Sequence, residues 1–438
     1  MGITPADGTN VQLDGSPIDA AFFAVLMIAA SCVLICRRRR TLTLLGASSP
    51  ILIYFLFCLL SVVWSDFPSV AFKRSIKAFG DVLMVLVILT DAQPRAALRR
   101  MFSRTGLILM PFSLLLIKYY PDLGRAFDRW VGVPTNTGVT ANKNMLGMIT
   151  LVLLLGTVWR VFALLWRDEM PAHRGRHLLA QGTLLVLGIF VLITSDSATS
   201  LVCFVLGTGL MLATRLQFIR RNPAAVHVLV LLLALTAGLA ILLGGGAAAQ
   251  ALGRNATLTG RTDIWAAVIT MHGNSFVGTG FESFWLSPRV AQRLAVLFPD
   301  LPLNEAHDGY IEVYLNLGLV GLSLIALILI DGYRRAVKAF RRDPALGGLI
   351  LAYISAAIPY NVTEAGFRML SPMWFFLLLS TMAASTATGG CEGAEDVFDS
   401  VRTMNAMSGP PRSGGERGRL LGVARAARIP VQHVPRIK

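Results

Sequence analysis

A hydrophilic stretch, Gly244 to Tyr310, separates two strongly apolar spans and holds two dense clusters of reactive side chains. One is Gly260-Arg261-Thr262-Asp263-Ile264-Trp265 and the other is Glu305-Ala306-His307-Asp308-Gly309-Tyr310. A guanidinium is permanently charged and forks onto phosphate oxygens. A neutral imidazole takes a proton from a hydroxyl near neutral pH. Each residue also has a plainer reading: Arg261 snorkels or pairs with Asp263, and His307 is a packed interface side chain. The carboxylates Glu305, Asp308 and Glu312 around His307 are placed to orient it or to hold a cation, but no Asp-x-Asp pair occurs in the stretch. Gly278-Thr-Gly280-Phe-Glu-Ser283 opens like a dinucleotide fingerprint, yet it lacks the third glycine and a βαβ context.

The elements that must position these clusters follow from periodicity. Apolar residues at 264, 265, 268 and 269 predict a short amphipathic helix with Thr259 as its N-cap. Arg261 then falls in the first turn, where its charge adds to the positive helix end. The rest of the chain is membrane-like. Of 438 residues, 54% are hydrophobic and 15% charged, against roughly 25% charged in a soluble domain. Eleven apolar runs approach the ~20 residues that cross a ~30 Å hydrocarbon layer. They are Ala20–Cys36, Leu42–Trp64, Ile76–Thr90, Met101–Ile117, Asn144–Trp166, Leu178–Thr194, Ser200–Ala213, Val226–Leu243, Ile311–Ile330, Leu346–Pro359 and Met369–Ala384. They are continuously apolar and do not alternate, which favours helices over a barrel. The expected fold is an all-α polytopic membrane protein of about eleven transmembrane helices (10–12), with one long outward-facing loop containing short helices. The first span is not read as a cleaved signal peptide, because its basic run Arg37–Arg40 follows the apolar stretch. None of the five cysteines lies in the long loop, so no disulfide framework and no cysteine-based metal site is indicated.

The net charge of +15 is organised by topology and does not point to nucleic acid. Basic residues collect in alternate loops, at Arg37–Arg40, Arg95/Arg99/Arg100, Arg167/Arg174/Arg176, Arg215/Arg220/Arg221 and Arg334/Arg335/Lys338/Arg341/Arg342. One orientation satisfies them all, with the N-terminus and the long loop outside and the C-terminus inside. The expected organisation is an outward tail 1–19, helices 1–8 over 20–243, a periplasmic catalytic loop 244–310, helices 9–11 over 311–384 and a disordered basic cytoplasmic tail 385–438. A second set of cations breaks the rule by facing outward: Lys73, Arg74, Lys77, Lys118, Arg125, Arg129, Lys143, Arg254, Arg261, Arg289, Arg293 and Arg368. Together they describe an outer face suited to phosphate. Lys73, Lys77 and Asp81 share one helix face, which makes Lys77 the expected partner of Asp81.

The motifs, taken in order, resemble the O-antigen ligase/polymerase superfamily. They are Trp64-Ser65-Asp66, Asn142-Lys143-Asn144-Met-Leu-Gly147, Ser195-x-Ser197-x-Thr199, Thr259-Gly260-Arg261-Thr262-x-Ile264-Trp265, Gly278-Thr-Gly280-Phe281 and Ala306-His307-Asp308-x-Tyr310-Ile311-Glu312. The resemblance covers about Asp66 to Arg368. It implies a metal-independent glycosyltransferase of the inner membrane that needs no cofactor. The implied donor is an undecaprenyl-pyrophosphate-linked oligosaccharide, and the acceptor a second glycan or lipid A–core. Other implied partners are the bilayer and further polysaccharide assembly proteins. By the same resemblance Arg261 contacts the pyrophosphate, His307 activates the acceptor or steadies the leaving group, and Lys73, Arg74, Lys143 and Arg368 help hold phosphates. Asp263, Asp308, Glu312 and Trp265 support them. The serine-rich segment leans towards the polymerase branch over the ligase branch. Two departures stand out: relatives often carry a cation in the Ser-x-Ser-x-Thr segment, where this chain has Asp196 and Ala198, and they read His-Asn where it has His307-Asp308. That extra carboxylate is expected to raise the basicity of the imidazole. The competing readings are a transporter, which predicts an internal repeat and broken helices, and a catalytically silent assembly partner.

Overall fold

Proline marks where most of the helices begin, because its missing N–H costs nothing in a first turn. The computed structural model of the chain describes residues 16–128, 133–168, 171, 173–222, 224–232, 235, 257–299 and 303–388. The expected outward tail before residue 16, the first part of the hydrophilic stretch (244–256), most of the eighth apolar run and the basic tail beyond 388 lie outside the described residues.

Among the described residues, the helices of ten or more residues are α1 (Pro17–Cys36), α2 (Arg38–Ala47), α3 (Ser49–Leu60), α4 (Pro68–Leu89), α5 (Pro94–Tyr119), α6 (Lys143–Leu165), α7 (Arg174–Thr194), α8 (Ala198–Ala213), α9 (Thr257–Thr270), α10 (Pro288–Leu297), α11 (Gly309–Arg342), α12 (Pro344–Thr363) and α13 (Pro372–Thr388). Each apolar run falls on helix in its described part. Among the described residues, six helices are long and apolar enough to cross a membrane, and a bent pair makes a seventh. That pair corrects one expectation. The Leu42–Trp64 run is not one straight span, since α2 meets the helix after it at 86°. A second difference is a short hairpin, Arg125–Asp128 paired antiparallel with Val133–Asn136, where only loop was expected.

Burial sorts the helices. α6 and α12 are 78% and 72% buried over their apolar windows, whereas α1 is 11% buried. An all-round apolar helix belongs at the centre of a bundle, and one that buries little presents its apolar side chains to lipid. Tyr353 of α12 donates to the Val152 carbonyl of α6 at 2.6 Å and stacks on Phe102 and Phe376.

α11 is broken at Gly318 (φ 63°, ψ −160°). At the break, four backbone groups of α11 bond a segment from the hydrophilic stretch instead. Leu319 and Val320 N–H donate to the carbonyls of Ser275 and Phe276, while the carbonyls of Leu315 and Asn316 accept from Thr279 and Gly280 N–H. Unsatisfied backbone is costly where it is buried, as Gly318 is, so the break and the segment support each other. Gly278 and Gly280 have positive φ, and a Cβ on Gly278 would meet the Asn316 backbone at 2.4 Å. The glycines that begin like a nucleotide fingerprint therefore plug a broken helix. A Cβ on Gly318 would meet the Phe276 carbonyl at 2.3 Å. Gly318→Ala is expected to destabilise the protein by at least ~1–3 kcal/mol in detergent unfolding. Gly46→Ala, which enters open space within a helix, is the matched control and should be neutral or stabilising by up to ~1 kcal/mol.

Candidate functional site

Arg261 reaches the bundle because α9 buries one face. Ile264 and Val268 are fully buried in a small apolar cluster with Phe284, Val290, Leu294, Ala306 and Leu315. The Trp265 indole donates to the Ala306 carbonyl at 2.8 Å. Arg261 stands on that face at the i, i+3, i+4, i+7 spacing. α9 is already helical at Thr257, so Thr259 is not its N-cap and Arg261 is not in its first turn. The expected placement of Arg261 at the positive helix end is corrected accordingly. Its charge is met by a carboxylate instead.

That carboxylate is Glu364, in the turn after α12. Its side chain is 8% exposed and lies 3.1 Å from Arg261 Nη2. Arg261 Nη1 donates to the adjoining Thr363 carbonyl. Asn144 Nδ2 donates to Glu364 Oε2 at 3.1 Å. His307 Nδ1 lies 3.7 Å from the same oxygen and 3.1 Å from Glu305 Oε1. One carboxylate thus gathers α6, α9, the turn before α11 and the turn after α12. A second chain of charges runs alongside: Arg368 bonds Glu305 at 2.8 Å and lies 3.8 Å from Glu282, whose carbonyl accepts from Arg74. His307 (φ 54°) and Glu282 (φ 54°) both occupy the left-handed region, which non-glycine residues seldom adopt. Such backbone persists where surrounding contacts over-determine it, as at ligand sites.

The other expected residues separate. Asp308 caps α11, its carboxylate accepting from Tyr310 and Ile311 N–H at 2.8 Å each. Glu312 accepts from Ala306 N–H and from the Trp285 indole, tying the stretch to α11. Both are buried. Asp263 and Lys73 are exposed, and Lys143 is half-buried at the start of α6. Asp263 is not the partner of Arg261 in this arrangement. Nor is Lys77 the partner of Asp81: Lys77 Nζ sits 4.2 Å over the Phe23 ring, and buried Asp81 accepts from Leu370 N–H at 3.0 Å. Asp81 thereby holds the turn that carries Glu364 and Arg368. The cations do not form a bare basic face, because Arg261 and Arg368 are paired with acids. Among the described residues, no group of three or more His, Cys, Asp or Glu side chains has a metal-holding arrangement.

Electrostatics follow from this geometry. Burial drives the Glu364 carboxyl up, but the Arg261 charge and the contact with His307 outweigh it and hold Glu364 below the ordinary carboxylate range. Burial drives His307 down, yet its contact with Glu364 and the charges of Glu305 and Glu364 raise it above an ordinary histidine. The expected effect on basicity is present, but its source is corrected: Glu305 and Glu364 supply it, while Asp308 is committed to its cap. Burial lifts Asp308 itself to about 6, against the bonds from Ile311 and Tyr310.

The sequence motifs resolve into contacts. Asn142 caps α6 and Asn144 holds Glu364. Thr199 and Thr363 share a hydroxyl bond at 2.8 Å. The Trp64 indole donates to the Val277 carbonyl, and Ser65 bonds Ser283 at 2.8 Å. Glu364, Glu282 and the role of Asn144 escape sequence reading. The one signal was a Glu364–Arg368 pair of opposite charges within a short turn between apolar spans.

A family model described as O-antigen ligase matches residues 183–326, which include Arg261 and His307. The chain is also similar to the exopolysaccharide production protein ExoQ of Rhizobium meliloti (strain 1021), 27% identical over 331 residues, or 70% of this chain and 73% of that protein. Both findings support the O-antigen ligase/polymerase resemblance that the motifs carry.

Replacing Glu364 by Gln removes one of the two carboxylates that raise the basicity of His307. The His307 imidazole of Glu364→Gln is expected to titrate at lower pH than in the parent protein. Titration of its ring resonances, identified by comparison with His307→Gln, measures the shift.

Proposed function

We propose that this protein is a glycosyltransferase of the O-antigen ligase/polymerase type that transfers or polymerises glycan repeat units from an undecaprenyl-pyrophosphate donor. The observation that carries the reading is the meeting of Arg261 and His307 at Glu364, although they lie 46 residues apart and both fall within the matched region. The acceptor hydroxyl attacks the anomeric carbon of the donor, and its proton passes to His307. The bond from that carbon to the phosphate oxygen breaks, and its electron pair leaves with the lipid pyrophosphate. Arg261 and Arg368, with Arg74, Lys143 and Lys73 contributing to the field, offset the developing negative charge, so the reading is metal-independent. Fixed donors aimed at developing charge lower the barrier more than equally strong binding of the ground state does. Arg261 retains donors beyond its bonds to Thr363 and Glu364, since a guanidinium carries five N–H groups.

The alternation of basic loops supports a bacterial inner-membrane protein of about eleven spans, with residues 244–310 and the N-terminus in the periplasm and the basic tail in the cytoplasm. The partners are then the lipid-linked oligosaccharide, a glycan or lipid acceptor, the bilayer and other polysaccharide assembly proteins. The name of the relative, exopolysaccharide production protein, favours a polymer-forming role over ligation to lipid A–core. The broken α11 is a feature that a transporter would use, but its released backbone groups bond residues 275–280 and so do not line a substrate cavity.

A strain lacking the gene, complemented with His307→Ala or Arg261→Ala, is expected to make single repeat units but no high-molecular-weight polymer. Each substitution should slow transfer by about 100- to 1000-fold. Normal polymer from both variants sinks the assignment, and free polymer beside uncapped lipid A–core marks a ligase.

A further inference from the structure

A second concave, charged region lies at the far end of α11. At ~1.5 Å per residue the 24 residues of α11 after the break at Gly318 (319–342) are long enough to cross a ~30 Å hydrocarbon layer, which puts this end at the opposite end of α11 from His307. The cleft has a volume of about 680 Å³ and is lined by Arg334, Arg335, Lys338, Arg341 and Arg342 of α11, with Ala47 of α2 and Ser385 of α13. Among the described residues that line it, Asp331 is the only carboxylate, and Arg335 pairs with it at 2.8 Å. Arg335 also bonds the Ala47 carbonyl and the Ser385 hydroxyl, which fixes the cleft floor across three helices.

A basic helix end alone is an ordinary sign of membrane topology. Two further observations point to a ligand. The volume lies within the range of small-molecule sites. The cations also continue an apolar stripe: Leu327, Ile330, Arg334, Lys338 and Arg341 follow one another at three- and four-residue steps on one helix face. Leu327 and Ile330 are exposed large hydrophobics, as lipid-facing side chains are. Moving along that face therefore passes from hydrocarbon contact to clustered phosphate donors.

We propose that this cleft binds the phosphate head group of an anionic phospholipid, with its acyl chains along Leu327 and Ile330. The same cationic chemistry would accept a soluble diphosphate, but the apolar stripe beneath it favours the lipid. Clustered Lys and Arg between helices at a membrane surface recognise such head groups.

The test uses the full chain in nanodiscs of phosphatidylcholine, with and without phosphatidylglycerol, and counts retained lipid by native mass spectrometry. The parent protein should retain phosphatidylglycerol, and the triple variant Arg334→Gln, Lys338→Gln, Arg341→Gln should bind it on the order of a hundredfold more weakly. Arg220→Gln with Arg221→Gln, which removes basic charge elsewhere, should behave as the parent. The charge-preserving triple exchange Arg334→Lys, Lys338→Arg, Arg341→Lys should retain binding, which separates loss of charge from misfolding. Equal retention by parent and neutralised variant overturns the site. Displacement of the lipid by inorganic pyrophosphate at equal concentration overturns the lipid as its occupant.

Discussion

The Glu364–Arg261 ion pair is the constraint around which the site is arranged. A carboxylate 8% exposed must be paired and hydrogen-bonded or it becomes neutral. Arg261 supplies the charge and Asn144 a hydrogen bond, and His307 lies 3.7 Å away. These side chains come from four separate parts of the chain, so holding Glu364 ionised brings the bundle top and the hydrophilic stretch together. On the proposed function, the same pair ties glycan transfer to folding. Glu364 raises the basicity of the imidazole while keeping Arg261 oriented, and loss of either partner leaves an uncompensated buried charge costing roughly 3–5 kcal/mol.

Backbone bonding performs the second half of the positioning. The break at Gly318 lets residues 275–280 enter the ladder of α11. Glu282 follows that segment directly and meets Arg368, and buried Asp81 holds the turn at Leu370. The polar stretch is therefore anchored to the backbone of α11. Arg261 and His307 owe their mutual geometry to that anchorage as much as to the apolar cluster around Ile264 and Val268.

Local periodicity was legible in the chain. The apolar runs announce the helices, and residues 264, 265 and 268 announce the buried face of α9. Arg261 and His307 were legible as candidates because reactive side chains are sparse outside the basic loops. The convergence was not. Glu364 sits 103 residues from Arg261 and 220 from Asn144 along the chain, and no local pattern encodes such a contact. Hydropathy likewise passes over Gly318, because an inverted φ leaves the apolar character of Ile311–Ile330 unchanged. Spacing on one helix face suggested Lys77 for Asp81, but a backbone N–H from a distant turn reached that carboxylate instead.

The central claim is that Arg261 and Glu364 act as one unit in glycan transfer. A double-mutant cycle on transfer rate, with Arg261→Ala, Glu364→Ala and their combination in membranes supplied with the lipid-linked donor, tests it most directly. Strong non-additivity is expected, with the double variant about as impaired as Arg261→Ala alone. Rate losses that simply multiply would contradict the account.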